Sequence, residues 1–118
     1  MTRGIALLLC LLTGFAHAQS AARTPVTSVK PLLIEALAHG ESSGELVGPA
    51  AEAMRRRFRT EAPIELHVTR LKALDEAGCS RLQISSTQAG VIESGKPQDL
   101  ELRYQISYCR DGRFPARR

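Results

Sequence analysis

The most informative stretch lies near the C-terminus, where residues 100–109 read LELRYQISYC. Apolar side chains occupy every second position of this stretch before the cysteine, and polar side chains occupy the positions between them. That alternation has the period of a β-strand with one buried face and one face in water. The stretch ends on Cys109, and Cys79 opens an earlier alternating segment, residues 79–87. The two segments are therefore predicted to be neighbouring strands.

The cysteines predict the register of these two strands. If the strands are antiparallel and Cys79 faces Cys109, then Leu82 lies opposite Ile106 and the apolar sets of both strands share one face. A slip of one residue would move every side chain of one strand to the other face. The hydrophobic pattern and the cysteine positions therefore predict the same pairing.

Two helices are predicted before these strands. The first begins near Pro31 and ends at Gly40, and the second begins near Pro49, because proline fits the first turn of a helix and glycine commonly ends one. After Pro63 the apolar period changes from helical to alternating, so residues 64–69 are predicted as a third strand.

The remaining segments are predicted to be irregular. Residues 41–48 are rich in glycine and serine and are interpreted as a joint, and residues 88–97 are interpreted as a loop. Residues 19–30 are expected to form a flexible leader before a single small domain, residues 31–118. The predicted fold class is α+β, with two N-terminal helices packed on a three-stranded antiparallel sheet and one disulfide.

The N-terminus has the pattern of a secretory signal. Arg3 gives a positive start, an apolar run follows, and Ala16 and Ala18 place small residues where a signal peptidase reads them. The run is too short to span a bilayer. Residues 1–18 are therefore predicted to be a cleaved signal peptide, which leaves a periplasmic chain with no transmembrane segment.

Export also bears on the cysteines. Without the signal peptide the chain holds only Cys79 and Cys109, and an even pair in an oxidising compartment most simply forms a disulfide. A redox or metal pair would favour a closer spacing such as C-x-x-C. The sequence therefore predicts the bridge Cys79–Cys109.

Length and composition exclude several classes of protein. The chain has 118 residues, a formal net charge of +4 and 4% aromatic residues with no tryptophan. That length allows one domain and excludes a multidomain enzyme. The scarcity of aromatics argues against a sugar-binding or base-stacking platform, so no nucleic-acid partner is expected.

Motifs for catalysis or metal binding are weak. Residues 40–44 match G-x-S-x-G, but that serine-hydrolase motif needs a strand before it and a large sheet behind it. Residues 36–43 resemble the segment around the catalytic glutamate of lytic transglycosylases, with Glu41 in the place of that acid. His39 and His67 lack a metal-ligand spacing. We therefore expect no catalytic residue, no cofactor and no metal.

Arginines form the clearest charge feature. In the second predicted helix, residues 55–57 are three consecutive arginines and Arg59 follows closely, and Arg81 and Arg103 stand on the polar face of the predicted sheet. Such residues can contact an acidic partner, although cations near a helix C-terminus also stabilise the helix itself and stay solvated. The candidate partner surface comprises Arg55, Arg56, Arg59, Arg81 and Arg103.

Two segments carry a resemblance. Residues 78–84 read GCSRLQI and residues 104–115 read YQISYCRDGRFP. They resemble small exported proteins encoded among the conjugative-transfer and integrative-element genes of Gram-negative bacteria. The resemblance implies a periplasmic accessory role near a secretion channel or pilus.

The expected function is that of a non-enzymatic periplasmic interaction protein. Its partner would be an envelope or secretion-system protein, for example of a conjugation or type IV secretion apparatus. The alternative is a small periplasmic enzyme that acts on the cell wall, or an inhibitor of such an enzyme.

Overall fold

The computed structural model describes residues 23–116, and the predicted signal peptide, residues 1–18, lies outside the described residues. No helix of residues 23–116 is long and apolar enough to cross a membrane. The elements follow one another as β1 (Pro25–Val26), α1 (Lys30–His39), β2 (Glu41–Leu46), α2 (Pro49–Phe58), β3 (Ile64–Ala73), β4 (Cys79–Ile92) and β5 (Pro97–Cys109).

All five strands belong to one mixed sheet. Their order in the sheet is their order in the chain, with β1 parallel to β2 and every other neighbouring pair antiparallel. The prediction of two N-terminal helices followed by a three-stranded antiparallel sheet is wrong. Strands β1 and β2 extend the sheet, and each helix stands between two strands.

Strand β2 escaped prediction because small residues occupy most of its inward positions. Ser42, Gly44 and Leu46 are buried, so only one of the three inward residues is large and apolar. A Cβ atom at Gly44 would lie 2.9 Å from the Thr24 carbonyl oxygen and 3.2 Å from both methyl carbons of Leu32. Small residues here let α1 and the chain around β1 approach closely, so the segment that was interpreted as a joint is a strand beneath a helix.

The predicted pairing of the last two strands is confirmed. Cys79 lies opposite Cys109 and is bonded to it, and Leu82 lies opposite Ile106. Strand β4 continues to Ile92, with an irregularity in the register between Gln88 and Val91. Most of the stretch that was interpreted as a loop, residues 88–97, is therefore strand.

Helix α1 covers one end of the apolar face of the sheet. Its Leu32, Leu33, Ala36 and Leu37 are buried in one cluster with residues of β3 and β4 such as Val68. The helix ends at Gly40, whose φ of 94° favours glycine. Arg70 Nη1 donates a hydrogen bond of 2.9 Å to the Leu37 carbonyl oxygen, and Arg110 Nη2 donates one of 3.5 Å to the same atom. These cations also offset the negative end of the helix dipole.

At the other end of the apolar face the two last strands differ, since Gln88 and Val91 of β4 are buried whereas part of β5 is exposed. Leu102 and Tyr104 of β5 point to the same face as the buried Leu82 and Ile84, yet they are 47% and 48% exposed. The predicted packing of two helices on the sheet therefore does not bury β5 at this end. Helix α2 contacts the core through the buried Ala51 and the partly buried Met54.

Candidate partner surfaces

The arginines of α2 divide into one that faces the sheet and others that face outward. Arg55 is partly buried, and its Nη2 lies 4.0 Å from Glu45 Oε1 on β2. Arg56 and Arg59 are exposed, and Arg59 adopts a left-handed φ of 53° where the helix ends. Among the ion pairs of residues 23–116, none involves Arg56, Arg57 or Arg59. Arg56 and Arg59 are therefore available to an external carboxylate, whereas Arg55 is directed toward Glu45 of β2, with its Nε buried and without a hydrogen-bond partner.

The two arginines of the sheet already have partners. Arg81 donates from Nε to Gln105 Oε1 at 3.3 Å and from Nη1 to Ser107 Oγ at 3.1 Å. Arg103 Nε donates to Glu101 Oε1 at 2.7 Å. Cross-strand hydrogen bonds and a local ion pair thus account for both cations, and the five predicted arginines do not form one basic patch.

The polar face of the sheet carries both signs of charge. Its acidic residues belong to β2, β3 and β5, and several are paired with arginine. Glu65, for example, accepts from Arg23 and from Thr87 Oγ1. A mixed face of this kind suits directional polar contacts better than long-range attraction of one charge sign.

A serine–histidine pair on this face was missed by the sequence reasoning. Ser43 Oγ and His67 Nδ1 are 2.7 Å apart, and His67 Nε2 lies 3.9 Å from Glu41 Oε2. The residues meet because β2 pairs with β3, which places Ser43 opposite His67. A strand that was not predicted could not supply this neighbour, so no signal in the sequence indicated the pair.

The chemistry available to this pair is limited by its setting. Serine beside histidine is the nucleophile–base half of a hydrolytic site. Ser43 and His67 are both exposed on an open sheet face, and the Glu41 side chain is 73% exposed. Glu41 is the first residue of β2, and Gly40 separates it from the end of α1. It is therefore not the cleft-bound helical acid that the resemblance to lytic transglycosylases implies.

A groove of about 390 Å³ lies beside the first half of β5, between Ala62 and Leu100. Two carboxylates that line it already accept hydrogen bonds, since Asp99 accepts from the Gly90 amide and Glu101 from Arg103. No group of three or more potential metal ligands occurs in the described part of the chain. The groove therefore has polar walls but no assembled ligand set.

Comparison of the chain with protein-family models, with curated proteins and with solved structures finds no match.

Proposed function

We propose that this chain is a non-enzymatic interaction protein of the Gram-negative periplasm, and that it binds an acidic surface of an envelope partner protein. The observation that carries the proposal is the exposure of Arg56 and Arg59 at the end of α2, where neither has an ion pair among the described residues. Because no carboxylate of the described residues is paired with these cations, their charge can attract an acidic partner.

The compartment and the partner class rest on the sequence. The pattern of residues 1–18 supports export, and the Cys79–Cys109 disulfide suits an oxidising compartment. The resemblance carried by residues 78–84 and 104–115 supports a partner from a conjugation or type IV secretion apparatus. No cofactor and no metal take part in the proposed role.

The test compares two pairs of charge reversals with the same change in net charge. R56E/R59E removes the proposed contact, and K72E/K96E reverses two exposed lysines on β3 and in the β4–β5 turn. Crosslinked complexes are captured from envelope fractions of cells that express the secretion apparatus, and their components are identified by mass. We expect capture of channel or pilus components to fall about tenfold or more with R56E/R59E and to persist with K72E/K96E.

Arg55 is left unchanged in this design. Reversing it would set a second carboxylate against Glu45 and loosen α2. A circular dichroism spectrum equal to that of the wild type shows that R56E/R59E keeps the fold. Equal capture by both double variants would contradict the proposal.

The alternative is a small periplasmic enzyme that acts on the cell wall, or an inhibitor of one, and the Ser43–His67 pair favours it. Hydrolysis would make Ser43 the nucleophile toward an ester or amide, with His67 as the base. The purified chain is incubated with peptidoglycan, alone and with a muramidase. Release of product that S43A abolishes would establish the enzyme, and slower digestion by the muramidase would establish the inhibitor. If neither product release nor slower digestion is observed, the alternative is excluded.

A further inference from the structure

Strand β5 is the last strand of the sheet that residues 23–116 form, and it is 13 residues long. The amide of Arg110 donates to the Gly78 carbonyl beside β4, whereas the amide of Cys109 donates to the Arg113 carbonyl. Because successive amides of a strand point in opposite directions, the amides of Glu101, Arg103 and the other odd-numbered residues of β5 point away from β4. This edge therefore presents a row of donors and acceptors for another strand.

The side chains beside this edge have opposite character on the two faces. Leu102 and Tyr104 are about half exposed on the apolar face. On the polar face Glu101 and Arg103 are exposed and paired with each other. A strand that added to this edge would meet apolar groups on one side and one charge of each sign on the other.

We propose that β5 pairs antiparallel with β5 of a second copy of this chain, about a two-fold axis that passes beside Leu102. In this register Leu102 faces Leu102 of the second copy. Glu101 then faces Arg103 of the second copy, and Arg103 faces Glu101. The two-fold axis makes each contact twice, as in any isologous interface.

Self-complementary charge selects this register over its neighbours. An axis at Glu101 or at Arg103 would set that residue against its own copy, and an axis at Leu100 would set Glu101 against Asp99. An axis at Tyr104 would leave Glu101 opposite Ser107 and would use neither charge. Like charges directly opposite each other destabilise a strand pair, and opposite charges stabilise it. Only the axis at Leu102 opposes Glu101 to Arg103.

The same register extends the apolar face across the interface. Leu100 faces Tyr104 of the second copy and Tyr104 faces Leu100, so the exposed apolar residues of the two copies pack against one another. The outward amides of Glu101 and Arg103 form a hydrogen-bonded pair with the carbonyls opposite them. Pro97, which has no amide hydrogen, stands where the row of donors ends.

The observations favour a second copy as the occupant. Glu101 and Arg103 lie two residues apart on the same edge, so an antiparallel copy places an opposite charge against each of them. An unrelated strand would need the same spacing of opposite charges by coincidence. This inference goes beyond the proposed function, since it uses β5 and leaves Arg56 and Arg59 exposed.

Charge reversals test the pairing and its register together. Wild type, E101R and R103E are sedimented between about 1 μM and 1 mM, a span that covers the weak-affinity range of a small interface. We expect the homodimer of each variant to have a dissociation constant about tenfold or more above that of the wild type, because each variant places like charges opposite each other twice. An equimolar mixture of E101R and R103E restores both opposite-charge contacts and should form a one-to-one heterodimer. That recovery also shows that both variants are folded.

Crosslinking supplies a second measurement. In the proposed register the two Leu102 Cα atoms form a non-hydrogen-bonded pair about 4.5 Å apart, within the range that a disulfide bridges. L102C should therefore give a covalent dimer under mild oxidation, while R103C should not. The proposal would be overturned if the wild type stays monomeric at every concentration, or if neither charge reversal changes the dissociation constant. It would also be overturned if R103C forms the covalent dimer and L102C does not. Capture of an extended segment of a different protein on this edge would overturn it as well.

Discussion

The two ends of the apolar face of β5 have the same sequence pattern and opposite environments. Tyr108 is buried and Ile106 packs against the core, while Leu102 and Tyr104 stand about half exposed. Alternation predicts which face a residue occupies, but burial also depends on what covers that face and on whether the strand lies at the sheet edge, since Val91 at the same end of the inner strand β4 is fully buried. The ten residues of α1 span about 15 Å, and the 13 residues of β5 span about 44 Å. One short helix therefore covers only part of a long strand.

The covered end is also the crosslinked end. Cys79 and Cys109 join β4 to β5 beside the residues that α1 buries, and Tyr108 donates from its hydroxyl to the Gly112 carbonyl at 2.9 Å. At the open end the pairing of β4 with β5 is irregular between Gln88 and Val91, and the segment after α2 bonds to β4, since Thr60 Oγ1 donates to the Ala89 carbonyl and Gln88 Nε2 to the Ala62 carbonyl. Along β5, the crosslink and the apolar burial are thus concentrated at one end, and the other end of this edge strand is less well covered.

Removing the disulfide should have the largest effect. The bridge closes a loop with a sequence separation of 30, and the chain-entropy model gives such a bridge about 3.5 kcal/mol of stabilisation. We expect C79A/C109A to lower the free energy of unfolding by about that amount, as measured by urea denaturation. Reductant should destabilise the wild type and leave the double variant unchanged. Equal stability of the two proteins would show that the covered end is held by packing alone.

A cavity at the covered end should have the next largest effect. Leu82 is fully buried beneath α1 and lies opposite Ile106. L82A removes buried methyl groups that the neighbouring residues can replace only in part, so we expect a loss of about 3 kcal/mol in the free energy of unfolding. Urea denaturation measures it. A loss below about 1 kcal/mol would mean that α1 settles onto the gap, and that the covered end is more loosely packed than its burial indicates.

The same contrast explains how much of the fold the sequence could predict. The pairing of β4 with β5 was predictable because the cysteines and the apolar alternation are independent signals, and both favour one register. Strand β2 was not, because Ser42 and Gly44 are inward residues without apolar side chains. Strand β1 has two residues, too few to show a period. In β4 the irregularity after Gln88 breaks the alternation, which made the strand resemble a loop.

The candidate surface was predictable to a smaller extent. The sequence identified the arginines, but only the structure separates Arg56 and Arg59 from Arg55, Arg81 and Arg103, which have partners within the chain. Intramolecular partners of this kind depend on which strands are neighbours. The Ser43–His67 pair depends on the same information, since β2 must first be placed beside β3.

The smallest effect is expected at the open end. L102A makes the same chemical change as L82A on the same face of the sheet, but its side chain is already half exposed and lies opposite Ser86. We therefore expect a loss below about 1 kcal/mol in the free energy of unfolding at concentrations where the chain is monomeric. Urea denaturation at low micromolar concentration measures it.

The combination of both changes sharpens the comparison. Leu102 lies opposite Ser86 and Leu82 opposite Ile106, so the two sites are four residues apart along the hairpin, about 14 Å. The Ile84–Tyr104 pair separates the two side chains, and sites that far apart usually contribute additively within about 0.5 kcal/mol. The losses in L82A/L102A should therefore equal the sum of the single losses. A double variant that loses clearly more would mean that the open end is coupled to the core through β4, and that half-exposed residues of β5 contribute to the stability of the covered end.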